Sequence, residues 1–234
     1  MKGTILQPTY LPWLGYFEMI ASSDIFVVFD HVQFERKSWQ QRNRIKTANG
    51  VISLSIPVQK MPRETPISEI KISYAGYNPL EKHFKTIELA YKKAPYFQDY
   101  KPFFEKIYSK KHVLLRDLNI EIIKLICNIL GINTKIVFSS DLGLKDENMA
   151  KTEKVVNLCK KQDINHLYDA KGAEEILDKS LFEKENIIIT FQDFQHPKYP
   201  QLWGEFVPYL STIDLLFNQG DKSFSIIKSG IKNN

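Results

Sequence analysis

The sequence predicts a three-layer α/β sandwich with a mostly parallel sheet and a helical insertion, and three observations predict it. Strand-like and helix-like hydrophobic periods alternate toward both ends of the 234-residue chain. Residues 25–29, IFVVF, are a continuous run of β-branched and aromatic side chains, the profile of a strand buried on both faces. Between residues 79 and 131 the apolar positions recur only at three- and four-residue spacing, so a helical layer interrupts the alternation.

Residues 4–6 read as a short strand stopped by Pro8, and 13–21 as a helix entered through a turn at Pro12. Strand 25–29 ends at Asp30, which completes the opening of a βαβ unit. VISLSI at 51–56 alternates with serines and is ended by Pro57, and 67–73 alternates in the same way. Three helices are expected over 79–131, with breaks at Pro95 and around Lys111. A strand at 135–138, a helix at 151–161, a strand at 165–168, a helix at 172–184, a strand at 187–191 and a helix near 210–217 follow. The whole reads as Rossmann-like, one domain over 1–225 with a flexible tail at 226–234.

A chain with 43% apolar residues can bury a full core. Its 32 Lys plus Arg against 27 Asp plus Glu leave a net charge of +5 from interspersed signs, a soluble surface and not a nucleic-acid footprint. Arg36, Lys37, Arg42, Arg44 and Lys46 cluster with only Glu35 nearby; they read either as an anion-binding patch or as a solvated, charge-protected edge. Cys127 and Cys159 lie in apolar helical patterns without CxxC spacing, which fits packed thiols in a reducing cytoplasm. No window is apolar enough for a membrane span, and Met1 leads almost directly into a strand, leaving no room for a targeting segment.

In such folds ligands bind outside the carboxyl ends of the strands where the strand order reverses. The first strand and the first strand of the second half are expected to flank that crevice. Residues 7–16 would then face 139–142, with 191–201 on the same rim. Gln7 follows the first strand and can offer its amide to a ligand, or cap its own turn. Tyr10, Trp13 and Tyr16 supply flat faces for a sugar or base, or equally core packing, and Gly15 permits close approach of a ligand or helix.

Asp30 stands where α/β enzymes keep a carboxylate, with His31 and Gln33 continuing the polar rim; a turn-forming Asp is the plainer account. Trp39, Arg42, Asn43 and Arg44 form a polar and aromatic cluster in which Arg42 or Arg44 is the preferred anion anchor. His196 is the candidate general acid or base, in a loop stiffened by Pro197 and Pro200 that also carries Tyr199 and Gln201. Asp193 is near it in sequence, and Asp30 is a candidate neighbour in space; alternatively His196 pins the loop through a backbone hydrogen bond. Lys151 opens a helix whose free amides can meet an anion, with Thr152 or Asn148 as its cap. The five histidines share no ligand spacing, so no metal site is expected, and GxSxG, GxxxxGK[ST] and GxGxxG are absent.

QPTYLPWLGYFEMI at 7–20, SDIFVVFDHVQFERKSWQQRNRI at 23–45, KAPYF at 93–97, LRDLN at 115–119, KTEKVVNLCK at 151–160, QHPKYPQ from 195 and FVPYLSTIDLLFNQG ending at 220 resemble the WbqC-like family. The chain departs from that family's glycine-rich SGxGG-like loop, where it reads Asp169, Ala170, Lys171, Gly172, Ala173. The resemblance implies a role in O-antigen or other surface-polysaccharide biosynthesis. It further implies transfer of an acyl or aminoacyl group, glycine in particular, to the amine of a nucleotide-linked amino sugar. The sequence leaves the acyl donor open: a coenzyme A or acyl-carrier-protein thioester, or an acyl phosphate, would serve. For that chemistry His196 is expected as base, with Asp30 beside it, Gln7 or Asn43 as carbonyl polariser, and Arg42 with Arg44 as diphosphate anchor.

Two other readings stay open. One is ATP- and Mg²⁺-dependent adenylyl or nucleotidyl transfer, although Trp13, Leu14, Gly15 and Tyr16 stand where nucleotidylyltransferases carry HxGH. The other is a non-catalytic binding or scaffold protein of a polysaccharide pathway, which exposed aromatics on the 79–131 helices would favour.

Overall fold

A computed structural model describes residues 1–144 and 148–231. Its centre is a parallel five-stranded sheet of β1 (Lys2–Leu6), β2 (Ile25–Val28), β5 (Lys135–Phe138), β6 (His166–Asp169) and β7 (Ile188–Phe191), in the order β5-β2-β1-β6-β7. A separate antiparallel hairpin pairs β3 (Arg42–Thr47) with β4 (Gly50–Ser55). The Rossmann-like reading therefore holds, with one displacement. The 51–56 strand belongs to the hairpin and not to the main sheet.

Alternation in the central strands builds the layers. Phe26 and Val28 pack into one apolar cluster, while Ile25 and Val27 pack into another. The second cluster is closed by α5 (Lys151–Lys161) and α6 (Lys179–Lys184), through Val155, Leu158, Cys159 and Phe182. Cys127 and Cys159 are buried free thiols, each pushed up to about 12 by that burial, and so unreactive.

The first cluster receives α1 (Leu14–Ala21) and the three helices between the hairpin and β5: α2 (Pro79–Tyr91), α3 (Phe97–Tyr108) and α4 (Leu115–Ile129). Helix α2 starts where expected because Asn78 accepts from the amides of Leu80 and Glu81, with Pro79 at the first position. Helices α7 (Thr212–Gln219) and α8 (Ser223–Lys228) complete this side. No helix among the described residues is long and apolar enough to cross a membrane.

Several boundaries differ from expectation. Residues 67–73 form a 3-10 turn at Ile67–Glu69 and two isolated bridges, because Ile67, Ile70 and Ile72 are all buried against the first cluster. The 172–184 helix exists only as α6, preceded by a 3-10 turn at Lys171–Ala173. Arg42 to Lys46, read as a charged cluster, is strand β3, with Asn43, Ile45 and Lys46 turned inward. Within the expected tail, Ile227 on α8 is fully buried and Ile231 bridges Phe194. The rest of the expected tail, 232–234, lies outside the described residues. Helix α5 is capped neither by Asn148 nor by Thr152. Glu153 accepts from the Ala150 amide at 2.7 Å, and the Thr152 hydroxyl accepts from the Asp178 amide at 3.2 Å.

Candidate functional site

The strand order reverses between β1 and β6, so the crevice lies there and not beside β5. Strand β5 is outside β2, and Ser139 accordingly meets Asp30 instead of facing 7–16. A cavity of about 440 Å³ occupies the β1/β6 crevice. Gln7, Thr9, Trp13 and Tyr16 line one wall, and Lys151, Asp169, Ala170 and Ala173 the other. A second cavity of about 340 Å³, lined by Trp39, Asn43, Arg44 and Tyr209, shares Thr9, Trp13 and Tyr16 with the first. The two segments that carry the aromatic and polar residues, 7–44 and 191–209, therefore meet around Trp13.

Hydrogen bonds to backbone carbonyls hold the 7–13 loop open. Leu11 has a φ of 47°, a conformation that costs energy for a β-carbon-bearing residue. The buried Asn43 amide offsets it by donating to the carbonyls of Leu11 at 2.7 Å and Tyr10 at 3.3 Å. Asn119 on α4 donates to the carbonyls of Pro8 at 3.0 Å and Gln40 at 2.8 Å. Gly15 is required because a β-carbon there would lie 2.3 Å from the Trp13 indole. Its freedom serves packing of the site's own aromatic, and its carbonyl accepts from Gln192 at 2.8 Å.

Gln7 is oriented by a chain of amides. Gln40 accepts from the Glu35 amide at 3.0 Å, so its Nε2 must be the group that donates to Gln7 Oε1 at 2.9 Å. That leaves the Nε2 hydrogens of Gln7 for a ligand. Across the crevice Asp169 is buried at the end of β6, where burial raises its carboxyl to about 6 despite a 2.7 Å bond from the Ala170 amide and the nearby Lys151. An acid of that strength is ionised at neutral pH yet poised to take a proton.

The other expected residues are placed elsewhere. Asp30 is fully buried at the end of β2, accepting from Arg116 at 3.0 Å, Ser140 amide and hydroxyl at 2.9 Å each, and Ser139 hydroxyl at 3.0 Å. It makes no bond to His196, and its acceptor capacity is taken up by these four donors. His31 meets the Ser139 hydroxyl at 2.6 Å. His196 lines neither cavity. It stands behind the wall, packed against Phe194, Tyr199, Phe206 and Tyr209, with Nδ1 donating to the Pro197 carbonyl at 3.0 Å. Burial lowers its proton affinity, its Nε2 is buried without a partner, and the Pro197 bond ties the ring to its own loop.

Tyr10 is a core residue, its hydroxyl joined to Tyr108 at 2.7 Å and His83 at 2.9 Å. Tyr16 reaches the Gln7 carbonyl at 3.1 Å. Tyr199 donates to the buried Asp214 at 3.0 Å, and Gln201 accepts from the buried Lys46 at 3.2 Å. Both belong to the network that ties 199–206 to the hairpin, which Tyr91 completes by donating to Asp214 at 2.8 Å. Arg44 donates to the Tyr209 carbonyl at 3.2 Å and lies 5.9 Å from the Trp39 ring centroid. Arg42 is exposed on the hairpin and lines neither cavity, while Gln33 lines a third, outer groove.

Gln40, Asn119, Arg116 and Tyr209 were not singled out from sequence, and Asp169 was named only as the first position of the 169–173 loop. For Asp169 the signal existed, since HLYD ends an apolar strand in a carboxylate just as IFVVFD does. The LRDLN segment carries its chemistry in Arg116 and Asn119, which fasten Asp30 and the 7–13 loop. Among the described residues no group of three or more His, Cys, Asp or Glu is arranged to hold a metal.

Comparison with known proteins extends across this site. The WbqC-like protein family matches residues 7–226, from Gln7 into α8. An uncharacterized protein of Mycobacterium tuberculosis is 35% identical over 222 residues, 94% of this chain and 94% of that protein. No solved structure matches the chain. Because the match starts at the crevice and spans both of its walls, the chain belongs to the WbqC-like protein family.

Proposed function

We propose that the protein is an N-acyl or aminoacyl transferase acting on a nucleotide-linked amino sugar, on the cytoplasmic side of surface-polysaccharide biosynthesis. The observation that carries this reading is the shared Thr9, Trp13 and Tyr16 wall between an aromatic cavity bearing Arg44 and a crevice bearing Asp169. Two adjoining compartments suit a reaction that must bring two substrates together. Trp13, Trp39 and Tyr209 offer stacking faces for a nucleobase or sugar, and Arg44 a charge for its phosphates.

In the crevice Asp169 takes the base role that the sequence had assigned to His196. The sugar amine attacks the carbonyl of an acyl thioester, a C–N bond forms and the C–S bond breaks. Asp169 accepts the amine's proton, and the departing thiolate receives one in return. Gln7 Nε2 donates to the carbonyl oxygen as charge develops there. The test is incubation with UDP- or dTDP-linked amino sugars and acyl or glycyl thioesters, read as the mass increase of the sugar nucleotide and release of free thiol. A requirement for ATP and Mg²⁺ with release of pyrophosphate would replace this reading with nucleotidyl transfer.

A further inference from the structure

Outside the two adjoining cavities lies a larger groove, about 820 Å³, between residues 33–36 and 58–63. Its floor is apolar, formed by buried Phe34 and Ile70 with Val58 and Met61 packed beside them. Its rim carries three exposed cations, Arg36, Lys60 and Arg63. None of the three is in an ion pair among the described residues. One acid, Glu35, lines the groove, so three positive charges against one leave it at +2.

Glu35 also lines the β1/β6 crevice, so groove and crevice adjoin at that residue. The Glu35 amide is tied through Gln40 to Gln7, the carbonyl-polarising group. An elongated ligand lying in the groove would present its far end beside Gln7. The transferase reading needs a donor of that description, with a phosphate-bearing end, a slender arm and a reactive thioester tip. We propose that this groove holds the phosphopantetheine end of the acyl donor, an inference that rests on the transferase reading. Arg36, Lys60 and Arg63 meet the phosphates, the apolar floor receives the arm, and the thioester passes Glu35 into the crevice. Coenzyme A and a holo acyl carrier protein share this chemistry, and the experiment separates them.

The variant Arg36→Gln/Lys60→Gln/Arg63→Gln changes exposed side chains only and is expected to melt as the parent does. Binding of coenzyme A alone, of holo acyl carrier protein alone, and of a UDP- or dTDP-linked amino sugar is measured by calorimetry for both proteins. At least one of the first two should bind the parent, weaken with salt, and bind the variant about tenfold less tightly. Sugar-nucleotide affinity should stay within about twofold, since its proposed contacts lie in the other cavity. Whichever of coenzyme A and carrier protein binds identifies the donor. Equal donor binding by parent and variant, donor binding by neither protein, or a loss confined to the sugar nucleotide would each overturn the groove assignment. Donor binding that needs the three cations, without acyl transfer to any amino sugar, would keep the groove and remove the transferase reading. Transfer from an acyl phosphate at equal rates in both proteins, without binding of either pantetheine compound, would do the reverse.

Discussion

Asp30 and Asp169 end strands on either side of β1, and their environments set them to opposite tasks. Asp30 meets a guanidinium, two hydroxyls and an amide, and serves as a fastening point between β2, α4 and the turn after β5. Asp169 is also buried, yet receives one backbone bond and faces a cavity. The same residue type at the same kind of position is structural where donors surround it and chemically poised where they do not.

The largest effect that separates the two should come from Asp169→Asn. The amide still accepts from Ala170, so substrate binding should persist while kcat falls about 10²- to 10⁴-fold, the usual contribution of a general base. Unchanged kcat with weakened binding would move Asp169 out of the chemistry. Arg116→Ala should do the opposite, costing about 3 kcal/mol of stability by stranding the buried Asp30 carboxylate. A chemical denaturation midpoint that barely moves would show that Asp30 does not depend on its partner.

The pH dependence of stability sharpens the contrast. Between its ordinary value of 3.8 and about 6, Asp169 holds a proton in the folded state that the unfolded chain releases. Its contribution is therefore lost as pH rises through that window, by roughly 3 kcal/mol. His83, buried and lowered to about 4 from 6.5, acts with the opposite sign: its contribution is present above pH 6.5 and lost as pH falls toward 4, again by roughly 3 kcal/mol. The parent should thus show a shallow profile between pH 4 and 6, and Asp169→Asn a stability that climbs steadily with pH. Identical profiles would mean that the Asp169 carboxyl is not held up.

Smaller effects are expected at the rim. Arg44→Gln should weaken sugar-nucleotide binding about tenfold with kcat nearly intact, as suits a phosphate contact already shared with the Tyr209 carbonyl. His196→Gln should change kcat less than about threefold, because the ring stands behind the wall and its Nδ1 is committed to Pro197. A loss comparable with that of Asp169→Asn would restore His196 as the base.

Much of the fold was legible because it rests on local pattern. The IFVVF run and the three amphipathic helices of 79–131 each carry their signal within a few residues, and each stands where the pattern puts it. The 67–73 alternation misled because burial of Ile67, Ile70 and Ile72 satisfies a turn against a helical layer as well as a strand. The short 172–184 pattern failed for a related reason, since most of 172–178 lies in turns beside the crevice.

The sequence by itself determined which residue types were present to do chemistry and that segments 7–44 and 191–209 carried them. Only the tertiary structure decided which of them face a common space. Strand order put β6, and not β5, beside β1; Arg116 came from 86 residues away to occupy Asp30; and aromatic packing set His196 behind the wall. The reason is physical: a carboxylate or imidazole takes its proton affinity from the donors, charges and water around it, and contacts between distant segments supply those.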